Sequence, residues 1–212
     1  MRIADQSGRN TNSGYGRVFN NNALGLLISK VQATVISNGS ELERMILSQT
    51  NNIADLEKFI ASIEVDDGAY SDGVYVCQKK ILKKSKYAVH GYEPDLLVFV
   101  VQKRRICNVI ELKDGDAFDT KKATVEKEHL EHFTQKFGTQ ISFTTDYYVC
   151  CFNQSDKEQI KIGFKNKLSE EHILTGRELC DLLQINYEKN CQNTPIGYRK
   201  QFTLFFGRIG KN

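Results

Sequence analysis

Two apolar runs separated by four polar residues constrain this chain more than any other feature. Residues 96–101 read Leu-Leu-Val-Phe-Val-Val, residues 106–112 read Ile-Cys-Asn-Val-Ile-Glu-Leu, and Gln-Lys-Arg-Arg lies between them. Both runs are too short for an ordinary helix and rich in β-branched residues, so they predict two strands of one hairpin. Charge gathers at the open end. Glu93-Pro94-Asp95 precedes the first run, and Glu111-Leu112-Lys113 closes the second after fifteen intervening residues. Pro94 disfavours helix in the residue before it and is tolerated at the start of a strand. Period-two alternation puts Glu111 and Lys113 on one face and Leu112 on the other. A register centred on Lys103, with a turn of three or five residues, sets Asp95 opposite Glu111 with Cβ atoms about 4.5–5.5 Å apart. A slip of one residue sends the two carboxylates to opposite faces.

Two adjacent carboxylates repel unless positive charge lies between them. Mg²⁺ suits such a pair, because it takes one or two carboxylate oxygens and completes its octahedral shell with waters and a phosphate oxygen. An ion held there neutralises charge on a transferring phosphoryl group and activates a water. Lys113, beside Glu111, can hold that water or the phosphate and stabilise the developing negative charge. Whether it also takes the proton is left open by the residues.

The rest of the chain supplies a frame. Its 212 residues suffice for one domain, and a 40% hydrophobic, 26% charged composition is that of a globular protein with a substantial core. A basic leader and an apolar stretch of about 20 residues are both absent, so a cytoplasmic protein with no membrane association is expected. Six cysteines form no C-x-x-C pair, and His90, His129, His132 and His172 add no finger spacing. Free buried thiols are expected rather than disulfides or structural zinc. A net charge of +3 does not by itself imply nucleic acid, but Lys79, Lys80, Lys83, Lys84 and Lys86 fall within eight residues, followed by Lys103, Arg104 and Arg105. Such a cluster is either a solvated face or a phosphate contact.

Residues 1–22 read as an irregular arm and 23–36 as a helix. Asn38-Gly39 is read as a stop, with Ser40 capping a new helix and Glu43 as its reciprocal capping-box partner. An apolar stripe runs from Leu42 to Ile63, with a break near Thr50-Asn51-Asn52. Asp66-Asp67-Gly68 and Ser71-Asp72-Gly73 mark turns around an edge strand at 74–78. A helix over 121–137 carries Leu130, Phe133 and Phe137 on one side, a strand follows at 145–152, and Thr175-Gly176 opens a helix over 177–185. A terminal strand at 201–206 completes an α/β fold with a central mixed sheet flanked by helices, read as one domain over 1–212 with its core about 40–152.

Pro94-Asp95 followed by Glu111-Leu112-Lys113 resembles the signature of the PD-(D/E)xK nuclease superfamily, and the chain as a whole resembles its small type II restriction endonucleases. The resemblance implies a restriction-endonuclease-like sheet with the motif at one edge of a central hairpin. It also implies Mg²⁺-dependent cleavage of double-stranded DNA at a specific sequence, Mn²⁺ as a substitute ion, a homodimer and a prokaryotic source. The superfamily often carries a further acidic residue within G-x-x-x-E on the preceding helix. Gly39-Ser40-Glu41-Leu42-Glu43 matches with Glu43, which then joins Asp95 and Glu111 as a metal ligand, with Glu41 as the fallback and the Ser40 cap as the structural alternative.

Asp114 to Lys122 resembles a local extension in some of these enzymes, and so does Leu174-Thr175-Gly176-Arg177-Glu178. Asp119 or Thr120 can cap the helix that follows, and Thr175 the later one. Lys83, Lys84, Lys121, Lys122 and Arg177 are the DNA-contact candidates, each with an ordinary surface role as the alternative. The arm and residues 190–199 are candidates for base contacts. Glu126 is read as an exposed partner of Lys122, and His129 and His132 as structural. Rival readings are a repair or nicking nuclease of the same superfamily and a nonenzymatic nucleic-acid-binding module.

Overall fold

The structure is a computed structural model that describes residues 20, 22–113 and 120–188. The arm, the 114–119 extension and the segments at 190–199 and 201–206 lie outside the described residues, apart from Asn20 and Asn22. Contacts divide the chain into two compact units, Met1–Arg44 with Glu188–Asn212, and Met45–Tyr187.

The described part of the first unit is mostly helix α1, Asn22–Leu47, whose last residues fall in the second unit. The expected stop at Asn38-Gly39 is not there: α1 runs unbroken through Asn38, Gly39 and Ser40. No helix begins at Ser40, so the expected capping position falls inside α1. A helix already nucleated gains a hydrogen bond with each residue it adds, which outweighs the cost of about 1 kcal/mol for an interior glycine.

The second unit is built on a six-stranded sheet. Its elements are β1 (Asn51–Asn52), α2 (Leu56–Val65), β2 (Gly73–Gln78), α3 (Lys79–Leu82), β3 (Leu96–Val101), β4 (Ile106–Lys113), α4 (Thr120–Gly138), β5 (Thr144–Cys151), α5 (Lys157–Gly163), β6 (Ile173–Thr175) and α6 (Gly176–Leu183). Strand order in space equals order in the chain. The β2–β3 and β3–β4 pairs are antiparallel, and β1–β2, β4–β5 and β5–β6 are parallel. The mixed sheet flanked by helices is the expected fold class. One detail differs: β2 is not at the edge, because Asn51 and Asn52 pair outside it. Among the described strands the two outermost are thus the shortest, of two and three residues, which leaves little ladder for another chain to join.

Helices α2 and α4 cover one sheet face. Leu56, Phe59, Ile60 and Ile63 of α2 meet Leu97, Phe99 and Val109 of the sheet and Leu130, Phe133 and Phe137 of α4 in a continuous core. Asp55 starts α2 by accepting the Lys58 amide at 3.1 Å, and Asp66 ends it in the left-handed region at φ 52°. Cys77, Cys107, Cys150, Cys151 and Cys180 are free and buried, as expected of thiols used for packing; Cys191 lies outside the described residues.

Thr175 caps α6 as expected, within a full capping box: its hydroxyl accepts the Glu178 amide at 3.3 Å, and Glu178 Oε2 accepts the Thr175 amide at 2.9 Å. Gly176 is required by close approach, since a Cβ there would lie 2.2 Å from the Phe152 carbonyl oxygen. Backbone cannot swing aside as a side chain can. Gly176→Ala is expected to cost about 1–3 kcal/mol, which a thermal melt would register as a fall of at least about 2 °C.

Candidate active site

The β3–β4 register pairs Leu96 with Ile110, Val98 with Asn108 and Val100 with Ile106, so the hairpin is centred on Lys103. Five residues, 101–105, lie between the last paired positions. Continuing that register past Leu96 sets Asp95 opposite Glu111. Leu97, Phe99, Cys107 and Val109 face the core under α2 and α4, and alternation carries Asp95, Glu111 and Lys113 onto this same face. The apolar surface runs out at this end of the hairpin and charge replaces it.

Asp95 closes the ladder where β3 stops. Its Oδ2 accepts the Leu112 amide at 3.0 Å, in place of a further strand carbonyl, and its backbone carbonyl accepts the Lys79 amide at 3.1 Å. Its Oδ1 accepts from Lys79 Nζ at 3.3 Å. Glu111 Oε1 lies 2.6 Å from Lys113 Nζ, and the same ammonium reaches Glu126 Oε1 on α4 at 2.9 Å. Two ion-paired groups thus stand side by side at this end of the hairpin, Lys79 with Asp95 and Lys113 with Glu111 and Glu126.

These groups perturb one another strongly. Burial pushes the Glu111 carboxyl well above the ordinary range, with the negative charge of Asp95 and the hydrogen bond to Glu126 adding to it and Lys113 only partly opposing. Burial also acts to raise Glu126, but the hydrogen bonds from Glu111 and Lys113 win and hold it low. The two carboxyls are thus pushed in opposite directions, Glu111 up and Glu126 down. Burial opposes the charge on Lys113, yet Glu111 and Glu126 together lift it above the usual lysine range, so the amine stays protonated between them.

The donor set fits Mg²⁺. No three His, Cys, Asp or Glu side chains converge in metal-holding geometry among the described residues. A pair of hard carboxylate oxygens on one face is nevertheless what this ion uses when waters and phosphate oxygens fill the rest of its shell. Glu111, crowded by Asp95 and buried, is a group that a cation would relieve.

Among curated proteins, the chain is 55% identical over 192 residues to the type II restriction enzyme HhaII of Haemophilus parahaemolyticus, across 89% of this chain and 84% of that protein. The chain belongs to the type II restriction enzymes. The resemblance carried by Pro94-Asp95 and Glu111-Leu112-Lys113 is upheld at the level of the superfamily. No family profile and no solved structure matches the chain.

The other candidate residues of this restriction enzyme divide by position. Glu43 belongs to the first unit, half-buried on α1, and is not among the residues the second unit gathers at the hairpin. Lys83 and Lys84 are exposed just after α3, in a basic run whose first member, Lys79, already touches Asp95. Lys121 and Lys122 are exposed in the first turn of α4. Arg177 is exposed on α6, with its guanidinium 4.9 Å from the Tyr187 ring centre. His129 and His132 pack their rings against Tyr92 at 4.7 and 4.5 Å, a structural use that agrees with expectation.

Two residues at the cluster were not anticipated. Glu126 is no exposed helix partner; it turns to Lys113 and is partly buried. Its signal was the α4 stripe itself. Continuing back from Phe137, Phe133 and Leu130 at the same spacing reaches Glu126 and then Ala123. Lys79 was one lysine among five, and only the β2–β3 register, which continues to Lys79 opposite Asp95, sets it apart.

Proposed function

We infer that this chain is a type II restriction endonuclease that hydrolyses one phosphodiester in each strand of double-stranded DNA at a specific sequence, leaving 5′-phosphate ends. The observation that carries the reading is the convergence of Asp95, Glu111 and Lys113 on one face of the hairpin, in a chain 55% identical to a type II restriction enzyme. Mg²⁺, with Mn²⁺ as substitute, supplies an activated water and neutralises phosphoryl charge when bound. Asp95 and Glu111 are the residues that would hold it; Glu43, on α1 of the first unit, is proposed as a ligand from its G-x-x-x-E motif alone. Asp95, fixed by the Leu112 amide and Lys79, presents a carboxyl group already held in place at the end of the strand. Lys113 enters as a protonated ammonium, which favours the role of stabilising charge on the scissile phosphate. Lys79, Lys83, Lys84, Lys121, Lys122 and Arg177 supply backbone contacts to DNA, which position the duplex without reading its sequence. Two copies acting as a homodimer bring two such sites to a two-fold symmetric sequence. The setting is a bacterial cytoplasm; among the described residues no helix is long and apolar enough to cross a membrane.

The test is incubation of purified protein with a long unmethylated duplex in Mg²⁺ and in EDTA, followed by sequencing of the product ends. Discrete Mg²⁺-dependent fragments sharing one end sequence are expected. Intact DNA across diverse substrates, with folded protein and either Mg²⁺ or Mn²⁺, would reject the reading.

Glu111 makes the acid side of the reaction depend on Mg²⁺. A cation and a proton compete for the same carboxylate, and burial beside Asp95 favours the proton up to an unusually high pH. Cleavage is therefore expected to fall on the acid side well above the ordinary carboxylate range, and raising Mg²⁺ should move that limb to lower pH. Profiles of kcat/KM at two Mg²⁺ concentrations check this; superimposable acid limbs would contradict it.

A further inference from the structure

Helix α4 buries one stripe of side chains, in which Ala123, Leu130, Phe133 and Phe137 are at most 3% exposed. Glu126 stands in that stripe at the position the spacing reserves for another apolar residue. A carboxylate there is costly unless it is paired, and its pairing is with Lys113 Nζ at 2.9 Å. The ammonium is thus gripped from two directions, by Glu111 two residues away on its own strand and by Glu126 from a separate helix. The two grips are not equivalent. Under the function proposed above, Glu111 must give its oxygens to a cation, and a lysine side chain has four rotatable bonds to wander with once that partner turns away. Glu126 is under no such demand, since α4 fixes it through the packing of Ala123 and Leu130 on either side.

We propose that Glu126 is a positioning residue that keeps the Lys113 ammonium at the scissile phosphate while Glu111 is engaged with the metal ion. The proposal rests on the assignment of Lys113 made under Proposed function. It predicts an inversion between stability and rate. Glu126→Met continues the apolar stripe and is expected to melt no lower than the parent, while its single-turnover cleavage rate falls about 100-fold; Glu126→Gln, which keeps an oxygen for Lys113, falls about 10-fold.

The experiment measures single-turnover cleavage of a duplex carrying the sequence found at the product ends, with DNA affinity in Ca²⁺, the Mg²⁺ half-saturation point and the melting temperature of each variant. Unchanged affinity and half-saturation, with the rates ordered parent, Gln, Met, are expected. Parental rates in both variants would overturn the proposal. So would a loss restored by raising Mg²⁺, which would make Glu126 a cation ligand, or a loss that tracks a lowered melting temperature. Lys113→Met is run beside them. If it cleaves at the parental rate, the assignment of Lys113 fails; if it is slow while the Glu126 variants are not, only the positioning role fails. In the double variant, Glu126→Met should add no further loss.

Discussion

Glu111→Gln is expected to abolish cleavage while leaving the metal-free protein at least as stable as the parent. The loss follows from the site: an amide offers a cation no charge, and several kcal/mol of transition-state stabilisation go with it. At about 1.4 kcal/mol per tenfold, that is a fall of at least about 10³ in rate. The stability gain has its own cause. Glu111 in the folded chain keeps its proton above the pH at which an unfolded glutamate releases it, because burial and Asp95 disfavour the charge. Stability from this group is therefore full below the ordinary carboxylate range and declines as pH rises toward the raised value. A neutral glutamine escapes that decline, for a gain on the order of 1 kcal/mol, or about 2–4 °C, at neutral pH in EDTA. Melts across pH should show the two proteins converging in acid. A variant that melts below the parent at neutral pH would mean that the Lys113 pairing outweighs the burial of the charge.

Lys113→Met is expected to lower the single-turnover rate by about 10²–10³, the cost of removing one preorganised donor from a site of developing charge, with DNA affinity in Ca²⁺ nearly unchanged. Its stability signature is opposite in kind to that of Glu111→Gln. Without the ammonium, Glu111 and Glu126 face each other with nothing between them. Both carboxyls then favour their protonated forms. The variant should melt below the parent at neutral pH and regain stability in acid, where a proton takes the place of the ammonium. Mg²⁺ should raise its melting temperature more than the parent's for the same reason. Parental cleavage would remove Lys113 from the chemistry altogether, whatever the melts show.

The hairpin was legible because two independent periodicities had to agree. Alternation in 96–101 and 106–112 requires the apolar residues to share faces, and Asp95, Glu111 and Lys113 must then fall on the face whose apolar character ends with them. The helix over 121–137 was equally plain, differing from α4 by one residue at each end. Glu126 escaped because a charged residue four positions after Lys122 satisfies a local surface rule as well as a core one; only the docking of α4 on β4 and β5 decides between them. Lys79 escaped because five near-identical lysines carry no internal mark. Asn38-Gly39 misled for a different reason: these residues are stops when a helix is marginal, and α1 continues through them for nine residues after Asn38. Glu43 remains a proposal made from a motif, on a helix whose local reading has changed beneath it.

The sheet whose spatial order matches its order along the chain also sets a sequence of events during synthesis. Among the described strands none must wait for a partner from the far end of the sheet, so each new strand extends the edge left by the one before. Asp95 and Glu111 come face to face as soon as the β3–β4 hairpin closes, but Lys113 acquires its second carboxylate only when α4 has emerged and docked. The part of the cluster suited to hold a metal ion can thus assemble before the part that keeps its lysine aimed, and a nascent enzyme truncated between them would have ligands but no fixed ammonium.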